Sequence, residues 1–311
     1  MSGALDGVVV IDFGQYIAGP MTGMLLADQG ADVIKVDPVD GPRWHSPGNA
    51  TWNRGKRSIQ LDLKSSADLA TARRLIANAD VVVENFRPGV MDRLGLGFDT
   101  CRVANKGLVY CSLPGFAADD PRATVAAWEG VVGAATATYR VNPETRRPVY
   151  TPIPIASTFA ALQGAVSIVM ALIAREKDGQ GQRVEVPLFD GMFTAMGSAR
   201  LRDRPTPPGP GAASPWTRQF QCKDGRWVQF HAINLGFKSF VDAVGASAWA
   251  YGPSPERMVE ELFRTRTAAE WEEFAESVGT ECVVCRTSDE WLRTPQAQAS
   301  NVVTVEDPNY G

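Results

Sequence analysis

The sequence predicts an α/β protein: a large domain built on a parallel β-sheet, followed by a smaller α+β domain. Three observations carry that prediction. Over residues 1–115, short continuous apolar runs alternate with helix-period segments, the pattern of a sheet buried on both faces. A Pro/Gly-rich stretch at 202–215 can neither continue a helix nor join a central strand. Beyond it, a short hairpin signal leads into polar amphipathic helices. At 311 residues the chain is long enough for two domains.

The elements follow in order. Residues 8–12 are a continuous apolar strand. Pro20 suits a helix start, 21–27 supply an apolar face, and Gly30 ends the helix. Residues 31–36 and 58–63 form the next strands, 67–79 an amphipathic helix, 81–84 a strand, 88–94 a short helix and 107–112 a strand. The Ala- and Val-rich segment 122–139 reads as helix, as does the long apolar run 155–177. Asp178-Gly-Gln-Gly-Gln182 then turns into a strand over 183–189 and a helix over 190–201. The large domain is therefore Rossmann-like and spans 1–201, with the linker at 202–215 and the small α+β domain at 216–311. In the small domain, Asp224-Gly-Arg226 joins strands at 220–223 and 227–231, and helices follow around 236–245, 255–265 and 267–277.

Composition narrows the function classes. Hydrophobic residues make up 44% and charged residues 21%, as in ordinary globular proteins. The net charge is −4, and the 31 Lys and Arg form no basic stripe, which argues against a nucleic-acid partner. Five scattered cysteines argue against a disulfide framework and for a reducing, cytoplasmic location. Cys282-Val-Val-Cys285 is a lone C-x-x-C in a chain with only His45 and His231. It reads as two buried thiols on a Val-rich strand, so no metal site is expected. No basic region followed by an apolar run opens the chain, so no secretory leader is expected. The stretch 153–174 contains Pro154, Ser157, Thr158, Gln163 and Ser167 and reads as a buried core helix, leaving no membrane partner.

The first β–α turn, with Asp37 at the end of the second strand, raises the possibility of a dinucleotide site. It lacks G-x-G-x-x-G, having only Gly14 and Gly19 around Gln-Tyr-Ile-Ala, so that reading fails on its most specific element.

Several segments together carry a resemblance. They are Val10-Ile-Asp-Phe-Gly-Gln-Tyr-Ile-Ala-Gly-Pro20, Gly30-Ala-Asp-Val-Ile-Lys-Val-Asp37 and Asn53-Arg-Gly-Lys-Arg-Ser-Ile-Gln-Leu-Asp-Leu-Lys64. Asp80-Val-Val-Val-Glu-Asn-Phe-Arg-Pro-Gly-Val-Met-Asp-Arg-Leu-Gly95, Cys111-Ser-Leu-Pro-Gly-Phe116 and Gly179-Gln-Gly-Gln182 follow. In this order and spacing the chain resembles the family III CoA-transferases, the group that includes formyl-CoA and carnitine CoA-transferases and the α-methylacyl-CoA racemases.

The resemblance implies that coenzyme A or an acyl-CoA is the substrate or ligand, with no tightly bound cofactor. It carries CoA contacts onto Gln15, Tyr16, Ile17, Ala18, Leu61, Lys64, Asn85, Phe86, Arg93 and Leu94. The residue chemistry agrees with a polyanionic ligand that has a long arm. A helix start near Pro20 offers backbone N–H groups, Lys64 and Arg93 suit phosphates, and Asn85-Phe86 ends a strand with an amide and a ring.

The chemistry implied by the resemblance is where this chain departs. The transferases attack the thioester with an aspartate, forming a mixed anhydride and then an aspartyl-CoA thioester. That position is Ser157 here, in Thr151-Pro-Ile-Pro-Ile-Ala-Ser-Thr-Phe159. A hydroxyl needs an adjacent base and yields an ordinary ester. The racemases use a His and an Asp as opposed bases; those positions fall at Trp128 and again at Ser157, and a further carboxylate position falls at Asn234. Glu129 keeps an acid beside Trp128 and is the other catalytic candidate. No G-x-S-x-G elbow exists, so a serine hydrolase is not expected. Ser157 reads instead as a helix cap.

Members of the resembled family also continue past the point where this chain stops, through a segment returning to the large domain. The expected assembly is an interlocked dimer, either of two copies or with an active paralogue that carries the aspartate. The functional expectations are thus a CoA-transferase acting between acyl groups, or a non-catalytic CoA-binding subunit or half of a fused enzyme.

Overall fold

The structure is a computed structural model that describes residues 3–142, 144–197, 216–231, 236–252 and 255–300. The 202–215 linker and Asn234 lie outside the described residues. The described chain forms two compact units that divide after residue 201.

The first unit holds a six-stranded parallel sheet. Its strands are β1 (Val9–Asp12), β2 (Asp32–Asp37), β3 (Arg57–Gln60), β4 (Val81–Glu84), β5 (Val109–Ser112) and, after a small two-stranded ribbon of β6 (Arg140–Val141) and β7 (Pro148–Val149), β8 (Arg183–Glu185). Their order is β3-β2-β1-β4-β5-β8, and every neighbouring pair is parallel. The connecting helices are α1 (Ala18–Ala27), α2 (Pro47–Trp52), α3 (Ser66–Ala77), α4 (Val90–Arg93), α5 (Phe98–Ala104), α6 (Glu129–Ala135), α7 (Ile155–Asp178) and α8 (Leu188–Met196).

β4 and β5 are buried at every position, because helices cover both faces. On one face Val10, Val33, Val81, Val83 and Val109 meet Leu26, Ala156, Ala160, Ile168 and Met192. On the other, Ile11, Phe13, Val82 and Tyr110 meet Ala72, Ile76, Met91 and Cys101. α7 can lie close because it turns Ala156, Ala160, Ala161 and Gly164 inward. At the crossing with α8, a side chain on Gly191 would start 2.7 Å from the Ala160 nitrogen.

Several expected elements are corrected. The helix expected over 122–139 is confined to Glu129–Ala135. Residues 121–125 form turns, and Ala137 takes a φ of 56° beyond the helix end. The strand expected over 183–189 stops at Glu185, because Pro187 lacks the N–H a ladder needs and instead opens α8. α7 is not wholly buried. Its outward face exposes Phe159, Leu162, Val166, Met170 and Ile173, from 37% to 64%. α2 and α5 went unread because both are short and start within turn-rich sequence.

The second unit is a three-stranded antiparallel sheet in the order β11-β10-β9, with β9 at Arg218–Gln221, β10 at Trp227–His231 and β11 at Glu281–Val284. Helices α9 (Gly236–Ala243), α10 (Glu256–Phe263) and α11 (Ala268–Ser277) accompany it, and α12 (Ser288–Leu292) and α13 (Pro295–Ala299) close the described chain. Its core is aromatic: Trp271, Phe220, Phe230, Phe240 and Phe263 are fully buried, and the Phe220 and Phe263 rings stack at 4.2 Å. α11 and α12 each start with a Thr–Glu capping box. Cys282 is buried, but Cys285 is exposed, because it lies past the end of β11; the pair of buried thiols is thereby corrected.

Candidate functional site

In an open parallel sheet, ligands sit outside the carboxyl ends of the strands, where the strand order reverses. Here that point lies between β1 and β4, and a cavity of about 880 Å³ opens there. The β1–α1 loop supplies Gln15, Tyr16, Ile17 and Ala18; the turn after β4 supplies Asn85, Phe86 and Arg87. Leu113 and Gly115 enter from the loop after β5, Trp128 and Glu129 from the start of α6, and Ser157 from the first turn of α7.

The two loops are locked to each other. The Asn85 side chain accepts from the Gln15 N–H at 2.7 Å and donates to the Gln15 carbonyl at 2.8 Å. Gly14 and Gly19 pass so closely that a side-chain carbon on Gly19 would start 2.5 Å from the Gly14 Cα, so both positions require glycine. Tyr16 follows with a φ of 63°, a left-handed conformation that is costly for a bulky residue. Its ring is exposed at the cavity mouth.

A buried ion pair lies behind this loop. Lys56 Nζ sits 2.8 Å from Asp12 Oδ2, with side chains 1% and 0% exposed. Asp12 Oδ1 accepts the Gly14 N–H at 2.7 Å, and Lys56 also donates to the Pro20 carbonyl and to Asn53 Oδ1. Burial pushes the Asp12 carboxyl upward, but Lys56 and then Lys35 outweigh it and hold the group below its ordinary value. Burial pulls the Lys56 ammonium down, with Asp12 opposing.

Ser157 and Glu129 meet directly. Glu129 Oε1 accepts the Ala156 N–H at 2.6 Å, and Oε2 accepts the Ser157 N–H at 3.0 Å and the Ser157 hydroxyl at 2.8 Å. Both residues are nearly buried, at 6% and 9% exposed. The cap on α7 is therefore the Glu129 carboxylate, an anion at a helix N-terminus. Ser157 sits inside the first turn and donates to it, which corrects its reading as the cap.

Of the residues expected to contact CoA, Gln15, Tyr16, Ile17, Ala18, Asn85 and Phe86 line this cavity together with Ser157 and Glu129. Leu61 is buried with Ile11 and Phe13, and Leu94 packs against the same cluster. Lys64 and Arg93 are exposed, and none of these four lines the cavity. The sequence reading passed over Arg43, Trp44, Arg87 and Tyr150, all of which line it. Arg43 and Arg87 each flank a proline after the carboxyl end of a strand, a signal that was available. Trp128 and Tyr150 come within 6.1 Å, ring to ring. Among the described residues no cluster of three His, Cys, Asp or Glu side chains could hold a metal.

Below the Asn85 turn, Glu84 is buried, and burial pushes its carboxyl up to about 7, with Ser112 and the Phe86 N–H pulling down. A carboxyl raised in this way adds stability below its unfolded value of 4.5 and loses it as pH rises through about 7. Glu84→Gln is therefore expected to be more stable than the wild type at pH 8, by about 3 kcal/mol, and to match it near pH 4.5. Urea titrations at both values check this; a constant difference across pH would contradict it.

The family model for CoA-transferase family III matches residues 5–311. The chain is 45% identical over 198 residues to CoA-transferase/lyase DddD of Marinomonas sp. strain MWYL1, an alignment covering 62% of this chain but 24% of that one. It is 31% identical to acetyl-CoA:oxalate CoA-transferase of Acetobacter aceti, over 97% of this chain and 85% of the relative. The crystal structure of a CAIB/BAIF family protein from Brucella suis matches with a TM-score of 0.81 at 27% identity, over 96% of this chain and 88% of that one. The alignments to the first curated relatives span only 24% to 51% of those proteins' lengths. The parallel sheet with its separate antiparallel unit and the family match across almost the whole sequence agree: the chain belongs to CoA-transferase family III.

Proposed function

We propose that this chain binds coenzyme A or an acyl-CoA in the cavity between β1 and β4, and serves as the CoA-binding half of a CoA-transferase whose other half supplies the attacking carboxylate. One observation supports the proposal: Ser157, which the resemblance assigns to the place of the nucleophilic aspartate, is hydrogen-bonded to a carboxylate that also caps α7. Both side chains line the cavity, but the carboxylate already accepts two backbone N–H groups and the hydroxyl, which lowers its strength as a base, and a serine ester is a poor donor for returning CoA. The six lining residues Gln15, Tyr16, Ile17, Ala18, Asn85 and Phe86, with Arg43 and Arg87 beside them, suit a polyanionic ligand that has an apolar arm.

Two further observations support a split or fused enzyme. The Marinomonas relative, of which 198 aligned residues are 24%, is more than twice as long as this chain. The outward face of α7 carries five exposed apolar side chains at helical spacing, a surface suited to pairing with another copy of this fold, homologous or identical. A second reading, a transferase acting between acyl groups in its own right, is favoured by the near end-to-end match to the oxalate enzyme.

Calorimetry with CoA and acetyl-CoA, followed by acyl-CoA/acid exchange, tests the proposal. Binding without exchange is the expected result. Robust exchange by the wild type alone would establish the second reading, and absence of CoA binding would sink both.

A further inference from the structure

The turn that brings Asn85 and Phe86 into the large cavity is held from beneath by a carboxylate with no role so far. Glu84 ends β4 and lines a separate polar cavity of about 40 Å³. Phe86 and Arg87 line both cavities and so form the wall between them. Glu84 Oε2 accepts the Phe86 N–H at 2.8 Å, while the neighbouring Asn85 side chain brackets the Gln15 backbone from both sides. Three consecutive residues thus join the tips of β4 and β1 at the floor of the site, and the residue after Gln15 is the strained Tyr16.

We propose that Glu84 is a positioning residue of the cavity: its ionised carboxylate holds the 85–87 turn, and through Asn85 the Gln15–Tyr16 loop, in the geometry that receives the ligand, so that CoA affinity depends on the charge of Glu84. This rests on the CoA-binding reading given above.

The groups facing Glu84 are Arg87 of the turn, Asp92 of α4, Asp99 of α5, Tyr110 of β5 and the Arg183–Glu185 pair of β8. Burial, and then the Glu84 charge, push Tyr110 and Cys111 up from ordinary values that already lie above neutral, so neither changes charge between pH 6 and pH 8. Glu84, raised to about 7 by burial, does. A carboxylate accepts an N–H more strongly than a neutral carboxyl, so the turn tightens as pH rises through that value. The difference between a charged and a neutral acceptor corresponds to about fivefold in affinity.

CoA affinity measured by calorimetry at pH 6, 7 and 8 tests the proposal, alongside hydrogen-exchange protection of the 85–87 amides without ligand. The wild type is expected to bind about fivefold more tightly at pH 8 than at pH 6, and its amide protection is expected to rise in step. Glu84→Gln keeps an acceptor oxygen and the volume but carries no charge; it is expected to lose both steps and stay at the weaker level. A flat profile in the wild type, or steps retained in Glu84→Gln, would overturn the proposal. If Glu84→Gln does not fold, the wild-type amide profile decides. If CoA does not bind at any pH, the function proposed above fails, and the amide protection still decides whether Glu84 holds the turn.

Discussion

Replacing Lys56 with alanine is expected to destabilise the large unit by about 3–5 kcal/mol, because it strands the buried Asp12 carboxylate without its cation. The two side chains are essentially inaccessible and 2.8 Å apart. Truncation also removes donors to the Pro20 carbonyl and to Asn53. In the wild type, the Asp12 carboxyl is held below 3.8, so its contribution is present above that value and lost as pH falls through the depressed one. In Lys56→Ala burial dominates, and Asp12 is expected to take up a proton more readily. The deficit should therefore shrink toward acid pH. Urea unfolding of both proteins at pH 4.5 and pH 8 measures this. A loss under about 1 kcal/mol would mean that the pair is solvated and worth no more than a surface bridge.

Ser157→Asp is expected to place a second carboxylate against Glu129 and to lower stability by about 2–3 kcal/mol at pH 8. The serine hydroxyl donates to Glu129 at 2.8 Å; an ionised aspartate has nothing to donate and repels. Two carboxylates at that distance cannot both stay ionised cheaply, so one of them keeps a proton to higher pH. The sign follows: a carboxyl raised in the folded state is harmless below its unfolded value of about 4 and costs stability as pH rises through the folded one. Ser157→Asp should therefore match the wild type near pH 4 and fall behind at pH 8, and Glu129→Gln added to it should restore most of the loss. Equal stability of wild type and Ser157→Asp at both pH values would show that the serine–glutamate contact is not tight. Exchange assays on the double variant then ask whether a carboxylate at 157, once relieved of its neighbour, restores acyl transfer.

Much of the large unit was legible because buried parallel strands are apolar at every position. Val81-Val-Val and Val109-Tyr-Cys cannot be mistaken for surface segments, and their strands fall where expected. The β1–α1 loop was legible through the resemblance of the segment Val10–Pro20, which carried the ligand contacts onto Gln15–Ala18; the close approach of Gly14 to Gly19 was not read. Short elements were not legible. α5 begins after Gly-Leu-Gly97 and depends on Cys101 and Phe98 packing against the sheet, a tertiary effect absent from local pattern. The extent of α6 was overestimated, because alanine-rich sequence favours helix without saying where turns interrupt it. Lys64 and Arg93 were carried over by the resemblance and suited phosphates by charge, but both are exposed and neither lines the cavity; charge does not reveal which way a side chain points. The pairing of Glu129 with Ser157 joins residues 28 positions apart on separate helices, and no spacing rule announces it.

The two hydrophobic interiors are built from different materials, and that difference gives the protein a built-in optical label. The larger interior is mostly aliphatic, with Phe13, Phe116 and Tyr110 as buried rings but no fully buried tryptophan among its described residues, and the cavity-lining Trp128 is 59% exposed. The smaller interior holds Trp271 and Trp216 locked among phenylalanine rings. The tryptophan region of near-ultraviolet circular dichroism, which requires aromatic side chains fixed in asymmetric packing, therefore reports chiefly on the smaller unit, while far-ultraviolet signal is shared by both. Heating the protein while recording both bands separates the melting of one unit from the other without cutting the chain.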